Sequence, residues 1–230
     1  MTSSAEPTPG NRRRRMSATQ RREVILEAAT EVFARHGFHQ TAIDQVAQAA
    51  GVSKALIYEH FASKTELQQT VIRELVSDLF QDVAVAVAGT PADIDSRARL
   101  RAGIDVYFRF IEQRAATWHM LFREGVGREA TQTMLAVEPT FVNGIAAVLA
   151  EAPEAAPISS TVEGKVRLRV AAQMITGSMH WLGNWWVDNM DLVDRDTIVD
   201  WALDGAWLGL EGFGEKVAAQ AADAADRAAK

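Results

Sequence analysis

Cysteine is absent from this sequence of 230 residues, which excludes disulfide bonds, thiolate metal sites and cysteine nucleophiles. Long apolar segments are absent too, because no run of about 18 residues has the composition that a membrane-spanning helix needs. The arginines near the N-terminus are not followed by an apolar stretch, as they would be in a secretory signal. We therefore expect a protein that is not attached to a membrane and that works in the cytoplasm.

Motifs of the common enzyme classes are also missing. The sequence contains no H-E-x-x-H or G-x-S-x-G motif and no pair of histidines at metal-binding spacing. The GVG segment at 125–127 is too short to be a phosphate-binding loop. We expect no catalytic residues, no metal and no cofactor, although an enzyme with an unrecognised site stays open as an alternative.

The sequence does contain enough apolar material for a full core, together with an uneven charge. Hydrophobic residues make up 48% of the chain, which excludes wholesale disorder. The net charge is −6, but residues 1–65 hold nine Lys and Arg against six Asp and Glu, whereas the remainder holds fifteen against twenty-four. A basic end on an acidic body indicates that only the N-terminal end meets a polyanion.

Helical periodicity runs through nearly all of the chain, and no segment alternates convincingly like a strand. Capping boxes mark four helix starts, at Thr41–Asp44, Ser63–Glu66, Thr90–Asp93 and Ser160–Glu163. Pro139 is expected to kink or interrupt the seventh helix. The predicted fold is all-α, with helices near 19–36, 42–49, 53–60, 64–88, 91–115, 117–124, 128–151, 161–190 and 194–214.

These patterns divide the chain into four parts. Residues 1–16 are rich in Ser and Pro and include Arg12–Arg15, which predicts a disordered basic tail. Residues 17–63 form a unit of three helices, residues 64–214 form a larger helical body, and an Ala-rich tail follows at 215–230. The arginines either reach into a flanking minor groove or remain solvated, and the sequence leaves both interpretations open.

The three-helix unit has the spacing of a helix-turn-helix. Its second helix turns Ile43, Val46 and Ala47 inward, Gly51 allows a tight turn, and Ser53 can cap the third helix. In such a motif the helix after the turn enters the major groove of DNA. An ordinary helical hairpin is the alternative interpretation.

This arrangement predicts DNA contacts from the third helix and its flanks. Lys54 and Ala55 stand at its N-terminal end, where base edges are reached, whereas Tyr58, His60 and Lys64 are expected to contact phosphates. For His60 the alternative is a surface histidine without a role. The complete predicted DNA-binding set is Thr41, Gln45, Ser53, Lys54, Ala55, Leu56, Tyr58, His60 and Lys64.

The stretch TAIDQVAQAAGVSKALIYEHFASKTEL at 41–67 resembles the DNA-binding signature of the TetR family of bacterial transcriptional regulators, and the similarity extends back through 25–38. Two positions depart from it, since many members have Gly where Ala55 stands and a small polar residue where Leu56 stands. Either side chain could contact a thymine methyl, and Leu56 could instead be packing. The operator sequence is therefore not readable from this helix.

The resemblance also implies an apolar effector pocket within the body. From spacing alone, an aromatic stripe on a helix usually belongs to the core, so each residue of the pocket set has that alternative. The candidate polar groups that could fix a ligand are Arg123, Glu124, His119, His180 and Asn184. The predicted pocket set is Tyr107, Phe108, Ile111, Trp118, Phe122, Met134, Phe141, Met174, His180, Trp181, Asn184 and Trp185.

An apolar surplus near the C-terminus concerns the assembly. All six tryptophans lie in the C-terminal half, several beside glycines in 174–189 and in the last helix. The family resemblance implies that helices 161–190 and 194–214 pair with their copies in a four-helix homodimer interface. Two recognition helices could then read half-sites about 34 Å apart.

The sequence as a whole predicts a ligand-responsive homodimeric repressor. It would bind a pseudo-palindromic double-stranded DNA operator through the 53–60 recognition helix and be released by a small apolar or aromatic effector. One alternative is an activator, or a ligand-dependent DNA binder, of the same family. Another is a helical binding protein that does not bind DNA.

Overall fold

The computed structural model describes residues 16–90, 96–122, 128–152 and 155–210. Within these ranges all regular secondary structure is helical, so the all-α prediction is confirmed. Arg12–Arg15, the tail predicted at 215–230 and Asp93 of one predicted capping box lie outside the described residues.

A short three-helix unit precedes a larger body. The N-terminal unit consists of α1 (Ala18–His36), α2 (Ile43–Ala50) and α3 (Lys54–His60). The body consists of α4 (Lys64–Gly89), α5 (Ser96–Gln113), α6 (Ala115–Phe122), α7 (Arg128–Ala150), α8 (Ala156–Ser159), α9 (Val162–Trp186) and α10, which covers 195–210. The short helix α8 was not predicted.

Capping explains where these helices start, and it corrects two predictions. The Ser63 hydroxyl accepts a hydrogen bond from the Glu66 N–H at 3.0 Å, as predicted for α4. For α9, the cap is Thr161 rather than Ser160, because the Thr161 hydroxyl accepts from the Gly164 N–H at 2.9 Å. For α2, Ala42 occupies the cap position and not Thr41. At α9 two adjacent hydroxyl residues could serve as the cap, and at α2 no side chain caps the first turn, so one-residue errors are easy at both starts.

Two predictions about the longer helices also need correction. Helix α7 continues through Pro139, so the proline does not interrupt it, while a kink at Pro139 stays a prediction. Helix α9 ends at Trp186 instead of near residue 190. The indole N–H of Trp186 donates to the Val193 carbonyl at 2.7 Å, and this bond holds the returning chain against the end of α9.

One buried core connects the two units. Ile25 and Phe33 of α1 and Ile57 of α3 belong to the same cluster as Leu67 at the start of α4 and Phe108 of α5. Helix α6 also packs against α1. The N-terminal unit therefore contacts the body through α4 and α6, so a displacement of either helix reaches α1.

Candidate DNA-binding surface and ligand cavity

The turn between α2 and α3 is built by three consecutive residues. Gly51 has a φ of 64°, a left-handed conformation that glycine adopts without strain. The Val52 N–H donates to the Ala47 carbonyl at 3.0 Å, and the Ser53 hydroxyl accepts from the Leu56 N–H at 3.1 Å. These bonds close the turn and cap α3, so that α3 begins at an exposed corner of the molecule.

Helix α3 buries one side and exposes the other. Ile57 is 1% exposed, whereas Tyr58 is 47% exposed. Lys54 and Ala55 are exposed at the start of the helix, and Leu56 is half-buried. The exposed side thus carries a cation, a methyl group and a phenol, which are groups that read or position a DNA duplex.

Lys54 is held by a carboxylate of the preceding helix. Its Nζ lies 2.9 Å from Oδ2 of Asp44, and the hydrogen bond and negative charge of Asp44 raise the pKa of Lys54. Both side chains are exposed, so the pair contributes little to stability. The contact with Asp44 holds the Lys54 ammonium group near the N-terminal end of α3.

Lys64 and His60 lie at the other end of α3. The Lys64 Nζ is 4.3 Å from the centre of the Phe38 ring, and burial lowers the pKa of Lys64. His60 is half-buried, with its ring centre 6.4 Å from that of Phe61. Both side chains are therefore partly held by the N-terminal unit before DNA arrives.

Two of the predicted DNA contacts have structural partners of their own. Thr41 is 3% exposed, and its hydroxyl donates to the Gly37 carbonyl at 2.7 Å. The Thr41 hydroxyl is therefore used within the unit, and a DNA contact from Thr41 stays a prediction. Gln45 is exposed, and its Oε1 accepts from the Ala42 N–H at 2.7 Å. The amide nitrogen of Gln45 is not used in that contact.

A cavity of about 400 Å³ lies in the body between α4, α5, α7 and α9. Of the predicted pocket set, Tyr107, Trp118, Phe141 and His180 line its wall. Much of the remaining wall comes from α4, through an apolar stripe not included in the prediction: Leu75, Leu79, Phe80, Val83 and Val87. The four-residue spacing of that stripe along α4 is a signal that sequence reasoning could have used.

Two polar groups of this wall, the Trp118 indole and the His180 imidazole, are joined through Asn184, which lies behind the wall. The Trp118 indole N–H donates to Oδ1 of Asn184 at 2.9 Å, and Nδ2 of Asn184 lies 3.1 Å from Nε2 of His180. Because the indole can only donate, the Asn184 oxygen must face Trp118 and the Asn184 nitrogen must face His180. That nitrogen can only donate, so Nε2 of His180 accepts the hydrogen bond. Burial lowers the pKa of His180, against the opposing charge of Glu138, so the neutral imidazole is favoured.

Five predicted pocket residues lie elsewhere in the structure, and these assignments are corrected. Phe108 and Ile111 are fully buried core residues that do not line the cavity wall. Met174, Trp181 and Trp185 are 63%, 75% and 44% exposed on the outer side of α9. Helical spacing groups residues on one face but does not say whether that face meets a cavity or solvent.

Three further residues of that set complete the comparison. Asn184 does not line the cavity wall, but it holds His180 and Trp118, which do. The side chains of Phe122 and Met134 lie outside the described part of the chain. The structure thus has a cavity among the aromatic helices, but α4 contributes more of its wall than the sequence indicated.

An apolar stripe covers the outer face of α9. Its residues recur mostly every four positions, and each is at least 44% exposed: Val162, Val166, Val170, Met174, Trp181 and Trp185. Trp201 and Leu208 of α10 are 59% and 69% exposed. So many exposed large apolar side chains on two helices favour an interaction site over an ordinary solvent face. We call these eight residues the α9–α10 face.

Two kinds of feature are absent from the described residues. They contain no cluster of His, Asp or Glu side chains arranged to hold a metal ion. No described helix is both long and apolar enough to cross a membrane. The exposed side of α3, the cavity and the α9–α10 face are therefore the surfaces that a function has to explain.

Comparison with known proteins agrees with the division into an N-terminal unit and a larger helical body. Residues 25–71 match the family model of bacterial regulatory proteins of the tetR family, and residues 96–209 match a tetracyclin repressor-like C-terminal domain. The HTH-type transcriptional activator FasR of Mycolicibacterium smegmatis is 31% identical over 208 residues, covering 89% of this chain and 90% of that protein.

Solved structures show the same fold. A TetR-like regulator from Rhodococcus sp. RHA1 superposes with a TM-score of 0.62 at 24% identity, covering 86% of this chain and 100% of that one. FadR from Bacillus subtilis, in complex with stearoyl-CoA, superposes with a TM-score of 0.66 at 21% identity, covering 80% and 96%. The helix-turn-helix unit, the helical body and the full-length relative lead to one conclusion: this chain belongs to the TetR family of bacterial transcriptional regulators.

Proposed function

We propose that this protein is a cytoplasmic homodimeric regulator that binds a pseudo-palindromic operator through α3 and responds to an effector with an apolar chain. The exposed side of α3 supports the DNA contact, with Lys54 and Ala55 at the tip of the helix and Tyr58 one turn further along. In this proposal Lys54 and Ala55 face base edges, while Tyr58, His60 and Lys64 position the phosphate backbone.

The α9–α10 face supports the homodimer. Exposed tryptophans at 181, 185 and 201 would otherwise leave a large apolar surface in water. A second copy of the same face covers it by two-fold symmetry, because an isologous interface pairs one patch with itself. The paired helices then form a four-helix interface, and two α3 helices face half-sites about one helical turn of DNA apart.

The cavity carries the effector part of the proposal. Its wall is almost wholly apolar, and in the described part its acidic or basic side chains are those of Glu138 and His180. An apolar chain buries itself in such a space without leaving polar groups unpaired. A long acyl chain has this character, and the FadR structure of similar fold holds stearoyl-CoA. We therefore propose a fatty acyl compound as the effector class.

Helix α4 supplies the proposed connection between effector and DNA. It begins at Lys64 beside α3, and its later turns line the cavity through residues such as Leu79 and Val87. An effector that fits the cavity better in one arrangement of α4 shifts the dimer toward that arrangement. In our proposal the effector-free dimer binds the operator and represses, and the effector releases it.

Activation is the second candidate. The FasR relative, which is similar over most of both chains, is named a transcriptional activator. Operator binding and effector release are the same for both candidates, since the direction of the transcriptional change depends on where the operator lies relative to the promoter. Deletion of the gene separates them, because target transcripts rise for a repressor and fall for an activator.

The test begins with selection of bound sequences from a random DNA pool at near-physiological salt. We expect a palindrome with fixed half-site spacing whose affinity falls steeply as salt increases. Stearoyl-CoA should then release this DNA, whereas free coenzyme A, which lacks the chain, should not. Recovery of no preferred sequence, with or without stearoyl-CoA, would instead favour a helical binding protein that does not read DNA.

A further inference from the structure

A single aromatic ring of α4 lies directly on the backbone of α7 at the cavity wall. A Cβ added to Gly144 of α7 would lie 2.2 Å from Cε2 and 2.4 Å from Cζ of Phe80. The third nearest atom, at 3.6 Å, is Cδ2 of the same ring. The space that a side chain at position 144 would occupy is therefore filled by the Phe80 ring alone.

The other glycines of the cavity wall behave differently. A Cβ at Gly103 would meet the valine methyl groups of Val87 at 3.3 Å and Val83 at 3.4 Å, a close contact that a shift of a few tenths of an ångström would relieve. A Cβ at Gly177 would meet nothing within 4 Å. Of these three glycines, only Gly144 has the outer edge of an aromatic ring in the place where its own side chain would be.

Phe80 also borders the empty space itself. It lines the cavity together with Gly144 and Phe141, and its ring centre lies 6.0 Å from that of Phe141 in an edge-to-face arrangement. The ring is bounded by α7 on one side and by the cavity on another. Because protein interiors are close-packed, a ring pushed off α7 moves most easily into space that is already empty.

We propose that the contact between Phe80 and Gly144 determines how long an apolar chain the cavity accepts. With the ring seated on Gly144, the space beside it stays open to the chain. A methyl group at position 144 unseats the ring, which then occupies part of that space. This inference rests on the proposed function in one respect, namely that the effector occupies this cavity.

Four proteins test the proposal: the wild type, Gly144→Ala, Phe80→Ala and the double variant. Binding of octanoyl-CoA and stearoyl-CoA to each is measured by isothermal titration calorimetry. We expect Gly144→Ala to bind stearoyl-CoA at least about tenfold more weakly, while octanoyl-CoA binding changes far less. Phe80→Ala should keep stearoyl-CoA binding, and the double variant should recover it, because the methyl group then has no ring to displace.

Gly89→Ala is the matched control for adding a methyl group to a helix. Gly89 lies at the end of the same helix as Phe80, away from the cavity wall, and a Cβ there meets nothing within 4 Å. Its chain-length profile should equal that of the wild type. An unchanged profile in Gly144→Ala, or a double variant as defective as Gly144→Ala, would overturn the proposal.

Failure of the effector class is a separate outcome. If the wild type binds neither acyl-CoA, the fatty acyl proposal is wrong, and the neutral apolar dye N-phenyl-1-naphthylamine replaces the acyl-CoA as the probe. Dye fluorescence should then fall in Gly144→Ala and return in the double variant. Equal dye binding in all four proteins would show that the ring does not control the space.

Discussion

Two glycines show how the N-terminal unit differs from the body. Gly51, in the turn before α3, has a φ of 64°, although a Cβ added there would meet nothing within 4 Å. Gly183, in α9, lies inside a helix, but a Cβ there would be 2.7 Å from both the Tyr107 hydroxyl and Ile111 Cδ1. The first glycine is required by the local backbone and the second by distant side chains, so local rules govern one region and tertiary packing the other.

Their exposed surfaces differ in the same way. Helix α3 exposes Lys54 and Tyr58, whose polar groups are well solvated in water and are available to contact DNA. Helix α9 presents Val166, Met174 and Trp181, apolar groups that remain unfavourable in water until another surface covers them. In the proposed dimer, the body therefore gains stability from a partner in a way that the DNA-binding unit does not.

Replacing Trp181 with glutamate gives the largest expected effect. A charge in the centre of the α9–α10 face would be buried without a partner, so the dimer should dissociate. Operator affinity should then fall by about 100-fold or more, because each α3 helix must bind its half-site alone. Sedimentation equilibrium measures the assembly, and fluorescence anisotropy with labelled operator measures the affinity.

Val85→Glu is the matched control for that substitution. Val85 is 65% exposed on α4 and does not belong to the α9–α10 face. It should remain dimeric with wild-type operator affinity. A Trp181→Glu protein that stays dimeric would show that this face is not the interface.

Gly183→Ala should lower the free energy of unfolding by about 1–3 kcal/mol, the usual cost of overpacking a core. The methyl group would displace Tyr107, whose hydroxyl donates to the Met179 carbonyl at 2.9 Å. Urea denaturation at fixed protein concentration measures the change, with Gly89→Ala as a control that has open space. If both variants unfold at the same urea concentration, the close approach at Gly183 does not constrain packing.

The contrast between the two regions also explains what the sequence could predict. The turn at Gly51, the cap at Ser53 and the inward face of α2 follow from interactions within about ten residues, so they were predicted correctly. The cavity depends on contacts such as Phe80 with Gly144, which are separated by more than sixty positions. The pocket set that the family resemblance implied grouped Trp181 with Tyr107, although Trp181 faces solvent and Tyr107 faces the cavity.

Substitutions on α3 should weaken DNA binding without changing stability. Lys54→Ala should reduce operator affinity by about tenfold, or ~1.4 kcal/mol, because the residue stands where base edges are reached. Tyr58→Phe removes only a hydroxyl and should cost less. The measurement is anisotropy with the selected operator, alongside thermal denaturation.

Glu59→Gln is the control for those two variants. Glu59 is exposed on the same helix and is expected to be a solvated charge. The operator affinity of the Glu59→Gln variant should therefore equal that of the wild type. A larger loss for Glu59→Gln than for Lys54→Ala would mean that Glu59 reads a base and that the orientation of α3 in the groove differs from the one proposed.

Gly51→Ala gives the smallest expected effect and tests the comparison between Gly51 and Gly183. A left-handed alanine costs about 1–2 kcal/mol, but the stiffer unfolded chain returns about 0.4–1 kcal/mol, so roughly 1 kcal/mol of destabilisation should remain. Gly51→Asn should cost less, because asparagine tolerates this conformation better than alanine does. At Gly183 the order should reverse, since the larger asparagine meets the same Tyr107 and Ile111 atoms. Urea denaturation of the four variants therefore distinguishes a glycine kept for its φ from a glycine kept for space, and the same rank order at both sites would remove the distinction between the two regions.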